Sequence, residues 1–309
     1  MTDGAPLSPT APLRRVRDCL DSAVRALAPL PDAAPRLEAE LLLAEATGWP
    51  RTRLIAWPDL MLDPDSSARF DVLLARRAAG EPMAYIRGRQ AFWTLDLRVT
   101  ADTLIPRPET ELLVELALAL PDPDRPRVVA DLGTGSGAVA AALASERPGW
   151  TLVASDRSPA ALRVAGRNLR TLEFRNAYPL LGDWLSPLAA GALDVILANP
   201  PYIAEGDPHL TRGDPRHEPP AALVSGPDGL DAIRAIAADA MRCLRPGGLL
   251  AVEHGCEQGA AVRALFRARG LDAPETRLDL AGHERVTLGW CATPPSPRDD
   301  PATPVRPSR

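Results

Sequence analysis

The fold is decided by the stretch Val128-Val129-Ala130-Asp131-Leu132-Gly133-Thr134-Gly135-Ser136-Gly137. Its apolar beginning is typical of a buried strand, and its glycines allow the sharp turn that follows. An Ala/Val-rich helix is predicted directly after it, over residues 138–145. Glycines in this place let a ligand approach the N-terminus of that helix. The stretch therefore predicts an α/β sheet that binds a ligand at the carboxyl ends of its strands.

A second predicted strand covers residues 151–155 and ends at Asp156. A carboxylate in that position is well placed to bind a ribose. The spacing Gly133-x-Gly135-x-x-Ala138 also satisfies the permissive dinucleotide fingerprint, so a nicotinamide-binding interpretation stays open at this point. A P-loop is excluded, because every basic residue of the sequence is Arg and a P-loop needs a phosphate-binding Lys.

A second organising stretch is Asp194-Val195-Ile196-Leu197-Ala198-Asn199-Pro200-Pro201-Tyr202. Its apolar run predicts a strand that is covered on both faces, as in a parallel sheet. The two prolines can neither continue a helix nor donate to a ladder, so they end the strand in a stiff loop. Asn199 is therefore expected at the carboxyl end of the strand, where Tyr202 adds a flat apolar wall. The stretch predicts a rigid pocket that contains a hydrogen-bonding amide.

An acidic residue precedes an aromatic one in Gly182-Asp183-Trp184. This order suits adenine recognition, with a polar contact to the exocyclic amine and one ring packed against the other. Taken singly, the triplet is better explained by a core Trp beside a capping Asp. Taken together with the glycine loop and Asp156, it favours an adenine pocket.

The first ninety residues predict a small helical bundle. Apolar spacing predicts helices over residues 16–27 and 35–47, and a third helix, capped by Asp65 or Ser66, that stops at Gly80. The bundle shows no chemistry of its own and is interpreted as a packing or docking module. A solvated face is expected for its acidic residues Glu38, Glu40 and Glu45.

Alternating apolar residues over 93–99 predict a β-hairpin that follows the bundle. Next comes Leu104-Ile105-Pro106-Arg107-Pro108-Glu109-Thr110-Glu111, a stiff lead into a helix that reaches about residue 120. Pro108 is a good helix starter. Arg107, on a loop near a cleft, is a candidate contact for substrate or cofactor, although spacing alone favours a structural role.

The end of the chain completes an alternating α/β pattern. It predicts helices over residues 232–244 and 259–268. It predicts strands over residues 249–253 and 286–290. The turn-rich segment Val224-Ser225-Gly226-Pro227-Asp228-Gly229-Leu230 precedes them. His254 and His283 are isolated from any Ser or Cys partner that spacing suggests, so satisfied polar roles are expected for both.

Composition narrows the functional class. A chain of 309 residues suits one large domain or two smaller ones. The formal net charge of −5 argues against a broad electrostatic grip on nucleic acid. The four Cys are scattered, which predicts neither a zinc site nor a disulfide framework. With neither a signal peptide nor a membrane-length apolar run, a cytoplasmic location without membrane association is expected.

These stretches together resemble the PrmC/HemK family of protein-(glutamine-N5) methyltransferases, which act on peptide chain release factors. The resemblance covers roughly residues 14–291 and includes Ile203 and Glu284-Arg285-Val286-Thr287. The Asn-Pro-Pro-Tyr loop is shared with amino-methylating enzymes of DNA and RNA, so the stretches at 104–111 and 224–230 are the more specific parts. The resemblance implies an α/β class I S-adenosylmethionine-dependent methyltransferase, whose Rossmann-like seven-stranded sheet has its last strand antiparallel. A small N-terminal helical bundle is joined to it by a β-hairpin.

The predicted organisation has five segments. They are a flexible N-terminus (1–12), a helical substrate-docking domain (13–85), a β-hairpin linker (86–105), a methyltransferase domain (106–291) and a disordered tail (292–309).

The resemblance also implies an activity and its residues. A methyl group is transferred from S-adenosyl-L-methionine to the side-chain amide nitrogen of the Gln in the Gly-Gly-Gln motif of class 1 release factors. The cofactor would be bound by Gly133, Thr134, Gly135, Ser136, Gly137, Asp156, Asp183, Trp184 and Asn199. The catalytic residues would be Asn199, Pro200 and Tyr202, and the substrate would also contact Pro201 and Arg107. No metal and no direct contact with nucleic acid are expected, and a monomer suffices.

Three other interpretations are weighed against this one. A nucleic-acid methyltransferase would use the same loop on the exocyclic amine of adenine (N6) or guanine (N2), but it calls for a basic surface or a target-recognition domain. An NAD-dependent oxidoreductase leaves the Asn199 loop unexplained. A catalytically inactive adaptor is disfavoured by the intact loop.

Overall fold

The computed structural model describes residues 13–31, 33–211 and 213–292. The predicted flexible N-terminus at 1–12, and all but the first residue of the predicted tail at 292–309, lie outside these ranges. Internal contacts divide the chain into two compact units. The first, called here the helical unit, comprises the chain up to Ala91, Asp96–Ile105 and Gly206–Pro220. The second, the sheet unit, comprises Phe92–Leu95, Pro106–Glu205 and the chain from Ala221 onwards.

The helical unit contains the helices α1 (Val16–Leu27), α2 (Pro35–Thr47), α3 (Arg51–Ala56), α4 (Pro64–Ala78) and α5 (Met83–Arg87). Its core joins the apolar faces of the longer helices, with Leu20, Leu42 and Phe70 fully buried. The predicted bundle is confirmed. The two helices that the sequence did not predict, α3 and α5, span six and five residues, which is too short for apolar periodicity to appear.

The start of α4 differs from the prediction. Its N-cap is Asp63, whose carboxylate accepts the backbone N–H of Ser66 at 2.8 Å, and Pro64 occupies the first helical position. Capping by Asp65 or Ser66 was wrong by two to three residues. Proline at the first helical position favours the earlier start, because its missing N–H and its set φ both suit that place.

The solvated face expected for α2 was wrong for two of its three glutamates. Glu38 is buried and accepts two hydrogen bonds from the guanidinium of Arg77, at 2.8 and 3.1 Å. Glu40 is buried and pairs with Arg36 and Arg51 at 2.7 Å each. The reason is that α2 packs against both α1 and α4, which leaves it little solvated surface. Glu45 is exposed, as expected.

The predicted β-hairpin is confirmed, with shorter strands. It consists of β1 (Arg89–Phe92) and β2 (Leu95–Arg98). Trp93 was predicted in a strand but lies in the turn, with a φ of 56°. Its backbone N–H donates to the Glu111 carboxylate at 2.7 Å, a contact within the sheet unit.

In the residues that the structure describes, the sheet unit contains seven strands and five α-helices. Its elements are α6 (Glu111–Leu118), β3 (Val128–Leu132), α7 (Ala138–Glu146), β4 (Thr151–Asp156), α8 (Pro159–Thr171), β5 (Ala177–Leu181), β6 (Leu193–Ala198), α9 (Asp231–Cys243), β7 (Leu244–Glu253), α10 (Gly259–Ala268), β8 (Leu271–Leu278) and β9 (Glu284–Cys291). The strand order is β5-β4-β3-β6-β7-β9-β8. All pairings from β5 to β7 are parallel, and β9 is antiparallel to both of its neighbours. The Rossmann-like sheet and its antiparallel last strand are therefore confirmed.

Two strands carried no signal in the sequence, β5 and β8, and both lie at the edges of the sheet. Each contains a proline, Pro179 in β5 and Pro274 in β8. Proline cannot donate to a ladder and is tolerated mainly in edge strands. The edge position also leaves three of the five residues of β5 and five of the eight residues of β8 exposed, so neither strand is buried on both faces as a central strand is.

The register of the central strands aligns their carboxyl ends. Leu132 of β3 is opposite Ser155 of β4 and Ala198 of β6. Ala198 is in turn opposite Val252 of β7. The residues that follow each pair are therefore neighbours: Gly133 and Asp156 on one side, Asn199 and Glu253 on the other.

The buried pair of Glu38 and Arg77 generates a test of stability. Arg77→Ala should lower the free energy of unfolding by about 3–5 kcal/mol, because it leaves a buried carboxylate without its partner. Urea unfolding provides the measurement. Arg17→Ala is the matched control, since the Arg17–Asp59 pair is exposed and worth less than about 1 kcal/mol. Equal losses for the two variants would show that the buried pair is not a special determinant of stability.

Candidate active site

The glycine loop lies at the carboxyl end of β3, where the sequence predicted it. Gly133, Gly135 and Gly137 all have a positive φ, of 67°, 56° and 84°. Residues with a Cβ rarely adopt this conformation, so the loop depends on glycine at each position. Gly137 is also close to α8, because a Cβ on it would lie 3.2 Å from the Cβ of Ala165. The turn is therefore set by the backbone and by packing on both sides.

Asp156 connects the glycine loop to the start of α8. Its Oδ2 accepts the N–H of Gly135 at 3.0 Å, and its Oδ1 accepts the N–H of Ser158 at 2.8 Å. A carboxylate oxygen has two lone pairs, so each oxygen can accept one further hydrogen bond. The side chain is half-buried. This geometry suits a pair of ligand hydroxyls, such as those of a ribose.

Two other residues of the loop serve to shape it. Thr134 is buried and donates its hydroxyl to Asp131 at 2.5 Å. Ser136 is buried too, and its carbonyl accepts the side-chain N–H of Asn168 at 2.8 Å. Burial raises the pKa of the Asp131 carboxyl to about 6, although the bonds from Thr134 and from the Ala140 N–H oppose that rise.

Trp184 lies against the glycine loop. A Cβ placed on Gly133 would be 3.3 Å from the edge of its ring. Trp184 follows β5, and its φ of 45° is unusual for a bulky residue. The ring is half-buried, and Asp183 beside it is exposed. The structure thus brings an aromatic wall and a carboxylate to the end of the sheet that carries Gly133 and Asp156.

The Asn199 loop begins where β6 ends. Asn199 is half-buried, and its Nδ2 donates to the Oγ1 of Thr110 at 3.0 Å. In the part of the chain that the structure describes, no hydrogen bond engages the Asn199 Oδ1 or the main-chain carbonyl of Pro200. Pro200 is buried, and Pro201 and Tyr202 are half-buried. Two oxygen acceptors are thus available on a stiff loop with an aromatic side chain beside them.

The segment at 223–230 is bonded to the Asn199 loop. Ile203 exchanges two backbone hydrogen bonds of 2.9 Å with Leu223 and Ser225. The carbonyl of Tyr202 accepts the side-chain N–H of Gln258 at 3.0 Å. Gly229 is so close that a Cβ on it would lie 2.2 Å from the Tyr202 carbonyl oxygen. This close approach requires glycine, which accounts for the position that the sequence singled out without a role.

A group of charged residues surrounds Tyr202 and Glu253. Glu253 is 1% exposed at the end of β7, and burial raises its pKa to about 7 against the opposing effects of a hydrogen bond from Thr110 and the charges of Arg285 and Arg107. The pKa of Tyr202 is raised, by burial first and by the nearby Glu253 carboxylate second. The charge of Arg107, a sequence candidate, lowers the pKa of both residues.

Sequence reasoning missed several residues of this site, above all Thr110, Glu253 and Gln258. Glu253 had a usable signal, because it directly follows the apolar run Leu249-Leu250-Ala251-Val252, as Asp156 follows its own strand. Thr110 stood inside a quoted stretch but had no property of its own that distinguished it. Gln258 is 56 residues from Tyr202, whose carbonyl it contacts, and no local sequence pattern predicts such a contact.

The satisfied polar role predicted for the histidines is confirmed for His254. His254 is fully buried, with its ring hydrogen-bonded to Thr287 and to the carbonyl of Gly255 at 2.8 Å each. His283 is exposed and lies 3.9 Å from Asp279.

Over residues 13–31, 33–211 and 213–292, the His, Cys, Asp and Glu side chains form no group of three or more that could hold a metal ion. No described helix combines the length and apolar character that crossing a bilayer requires.

Comparisons with known proteins place the chain among methyltransferases. The family model of the PrmC N-terminal domain matches residues 18–88, and that of the methyltransferase small domain matches residues 108–212. A release factor glutamine methyltransferase of Xylella fastidiosa is 48% identical over 88% of this chain and 99% of its own. The protein of that name from Pseudomonas aeruginosa is 52% identical over 85% of this chain and 95% of its own. The crystal structure of the hMettl16 catalytic domain, in complex with the MAT2A 3'UTR hairpin 6, has a TM-score of 0.52 at 17% identity, over 75% of this chain and 84% of that chain. At that identity the likeness concerns the fold alone.

The raised pKa of Glu253 generates a test in which stability depends on pH. The folded protein holds this proton up to about pH 7, whereas an unfolded chain releases it near pH 4.3. Between these values the native state binds more protons, so rising pH lowers stability. Glu253→Gln removes the ionisation. As pH rises from 5 to 8, the free energy of unfolding of Glu253→Gln should therefore increase by about 3 kcal/mol relative to that of the wild type.

Urea unfolding at the two pH values measures this difference. The exposed Glu257 provides the matched control, and Glu257→Gln should show no comparable change. A pH-independent difference between the wild type and Glu253→Gln would contradict the expected protonation of Glu253.

Proposed function

This chain belongs to the release factor glutamine methyltransferase family, and we propose that it methylates the Gln of the Gly-Gly-Gln motif in class 1 peptide chain release factors. The methyl group comes from S-adenosyl-L-methionine and is transferred to the side-chain amide nitrogen, N5. The observation that carries the proposal is the pair of acceptors on the Asn199 loop. The Asn199 Oδ1 and the Pro200 carbonyl are both without a hydrogen bond in the described structure, on a loop held rigid by its surroundings.

An amide nitrogen needs such a pair of acceptors to react. Its lone pair is delocalised into the carbonyl, and it is too weak an acid to be deprotonated before attack. The two N–H groups of the substrate amide would donate to Asn199 Oδ1 and to the Pro200 carbonyl. As the nitrogen becomes tetrahedral and positive, both hydrogen bonds strengthen. Stabilisation that grows towards the transition state raises turnover rather than substrate affinity alone.

The remaining loop residues would complete the substrate pocket. Tyr202 packs against the flat amide and excludes water, and its raised pKa keeps the phenol neutral. Pro201 adds a stiff apolar wall. The positive charge of Arg107 lowers the pKa of Tyr202 and of Glu253, and Arg107 is a candidate contact for the release factor backbone.

The glycine-loop end of the sheet fits S-adenosyl-L-methionine. Bound there, this group supplies an electrophilic methyl on a sulfonium sulfur. The Asp156 oxygens would accept the ribose hydroxyls, and Trp184 would pack on the adenine, with Asp183 contacting the exocyclic amine. Gly133 and Gly135 are half-buried and expose backbone rather than side chains, while Thr134, Ser136 and Gly137 hold the loop in shape. The Trp184 ring lies where a side chain on Gly133 would intrude, which supports a pocket formed by backbone and ring.

The organisation proposed for the whole chain follows from this activity. Within it the helical segment 13–85 docks the release factor, the linker 86–105 follows, and the segment 106–291 carries the chemistry. We propose a cytoplasmic enzyme that works as a monomer and needs no direct contact with nucleic acid. The nucleic-acid alternative is not favoured, because the relatives that match most of this chain are named for glutamine methylation.

A labelling experiment tests the proposal. The purified protein is incubated with methyl-labelled S-adenosylmethionine and a purified class 1 release factor. Parallel reactions contain the release factor with its motif Gln changed to Ala, or tRNA, rRNA or DNA. Label on the intact release factor alone is expected. Label on nucleic acid, with none on the release factor, would overturn the proposal.

Asn199→Ala should lower turnover by about 10²–10³, the usual loss when one oriented group is removed from a transition state. Binding of S-adenosylmethionine should change much less, because the glycine loop and Asp156 are untouched. Single-turnover labelling and calorimetry measure the two effects. The control is Asn176→Ala, which removes a half-buried side chain whose Nδ2 donates to the carbonyls of Arg147 and Trp150. Equal turnover in the two variants would exclude Asn199 from catalysis.

Gly133→Ala should weaken S-adenosylmethionine binding at least about tenfold, because the new Cβ displaces the Trp184 ring and strains the loop. Gly48→Ala is a matched control. Gly48 has nearly the same φ, 70° against 67°, but no atom lies within 4 Å of its added Cβ. Both variants therefore carry the same backbone strain. Calorimetry of S-adenosylmethionine binding then separates the effect of this strain from the effect of displacing the Trp184 ring. If Gly48→Ala weakens binding as much, the loss reports general destabilisation.

A further inference from the structure

We infer that Gln258 is a positioning residue for the methyl transfer, because its side-chain amide holds the Asn199 loop at a fixed distance from the end of β7. The inference rests on the proposed function. It adds a role for a side chain that is not among the predicted site residues. Gln258 is half-buried at the start of α10, and it belongs to the same unit as the Asn199 loop.

Three segments of the chain meet at the Gln258 amide. Its Nε2 donates to the main-chain carbonyl of Tyr202 at 3.0 Å and to that of Asp228 at 3.2 Å. Its Oε1 accepts the backbone N–H of Gly255 at 2.9 Å. An amide nitrogen has two protons, so both of its donors are used. The amide thereby joins the Asn199 loop, the segment at 223–230 and the residues that follow β7.

The neighbours of this amide allow it a single orientation. A main-chain carbonyl can only accept a hydrogen bond, and a backbone N–H can only donate one. With the amide turned over, its oxygen would face the carbonyls of Tyr202 and Asp228, and its N–H groups would face that of Gly255. Glycines on two sides also leave it little room, because a Cβ on Gly229 would lie 2.8 Å from Nε2 and one on Gly255 would lie 3.2 Å from Oε1. Polarity and packing therefore both fix the Gln258 side chain.

Gly255 is itself held by the sheet and can serve as an anchor. Its carbonyl accepts the backbone N–H of Gln258 at 2.9 Å and the ring Nδ1–H of His254 at 2.8 Å. The other ring nitrogen of His254 is hydrogen-bonded to Thr287 of β9 at 2.8 Å. His254 is fully buried and directly follows β7. Gly255 is therefore connected to two strands of the sheet.

The two prolines of the Asn199 loop explain why the loop needs an anchor. Pro200 and Pro201 have no backbone N–H, so the loop cannot be fixed by hydrogen bonds donated at these positions. The near end of the loop is fixed by the sheet, because Ala198 is in register with Val252 of β7. The position of its far end depends on contacts with other segments.

Gln258 connects that far end to the sheet. The backbone hydrogen bonds of Ile203 join the far end to the segment at 223–230, which is not a strand of the sheet. Gln258 is bonded to both and links them to Gly255, two residues after the end of β7. The two acceptor oxygens of the loop therefore lie between two points that β7 fixes. Accurate placement of reacting groups affects turnover strongly, even when the residue responsible is not in contact with them.

The first test replaces the amide by a carboxylate of the same shape. Gln258→Glu keeps an acceptor for Gly255 but presents oxygen instead of N–H to the carbonyls of Tyr202 and Asp228. It should lower kcat for release factor methylation by about 10–10²-fold, because the loop shifts. The KM for the release factor and the affinity for S-adenosylmethionine should change much less. Gln258→Met fills the same space without charge and should also lower kcat.

Asn176→Asp is the matched control. Asn176 is also a half-buried amide, and its Nδ2 donates to the main-chain carbonyls of Arg147 and Trp150 at 3.2 and 3.1 Å. It directly precedes β5, so it lies at the amino ends of the parallel strands, whereas the Asn199 loop lies at their carboxyl ends. Asn176→Asp should lower stability against urea as Gln258→Glu does, but it should leave kcat unchanged.

A double-mutant cycle distinguishes positioning from general destabilisation. If Gln258 acts through the Asn199 loop, Gln258→Glu should lower kcat much less in the Asn199→Ala background, by about threefold or less, because one of the two acceptors that it positions is already absent. Single-turnover labelling measures the wild type, both single variants and the double variant. A merely structural role would give the same fold-loss in both backgrounds.

The outcomes separate this inference from the proposed function. Wild-type kcat in both Gln258→Glu and Gln258→Met, an equal loss of kcat in Asn176→Asp, or the same fold-loss in the Asn199→Ala background would each overturn the inference. Release factor labelling by the wild type and the Asn199→Ala loss would remain in all three cases. Absence of release factor labelling by the wild type would instead overturn the proposed function itself.

Discussion

The parallel pairing of β6 with β3 on one side and with β7 on the other is the constraint on which the site depends. Because Ala198 is in register with both Leu132 and Val252, the three strands end at one level. The glycine loop, the Asn199 loop and Glu253 therefore meet at a single edge. A shift of the register would separate them even if every loop kept its conformation. Parallel sheets place all their carboxyl ends on one side, which is why α/β proteins bind ligands there.

Rigidity at this edge comes from backbone features more than from side chains. Positive φ angles at the three glycines, two consecutive prolines and the close approach of Gly229 to the Tyr202 carbonyl leave the loops few alternatives. Preorganised loops need little rearrangement when charge develops on a reacting atom. The cost is local strain and a dependence on glycine where most residues would be tolerated elsewhere.

Buried carboxylates also contribute to the conformation of this edge. Asp131 and Glu253 are both buried carboxylates with raised pKa values, and Asp131 accepts the hydroxyl proton of Thr134. Asp131 closes the glycine loop through Thr134, whereas the Glu253 Oε2 has no hydrogen-bond partner in the described structure. Burial strengthens such hydrogen bonds, and it also makes a buried oxygen without a partner destabilising.

The sequence by itself determined the fold class, the central strands, the glycine loop, Asp156 and the Asn199 loop. These are local features, because apolar runs, glycines and prolines restrict the backbone where they stand. Tertiary structure alone decided the burial of Glu38, the edge strands β5 and β8, and the contacts of Gln258 and Thr110. Asn199 and Thr110 are 89 residues apart, and a hydrogen bond over that separation exists only after the sheet has formed. Side-chain partners chosen by long-range packing leave no pattern in a single sequence, whereas backbone restrictions do.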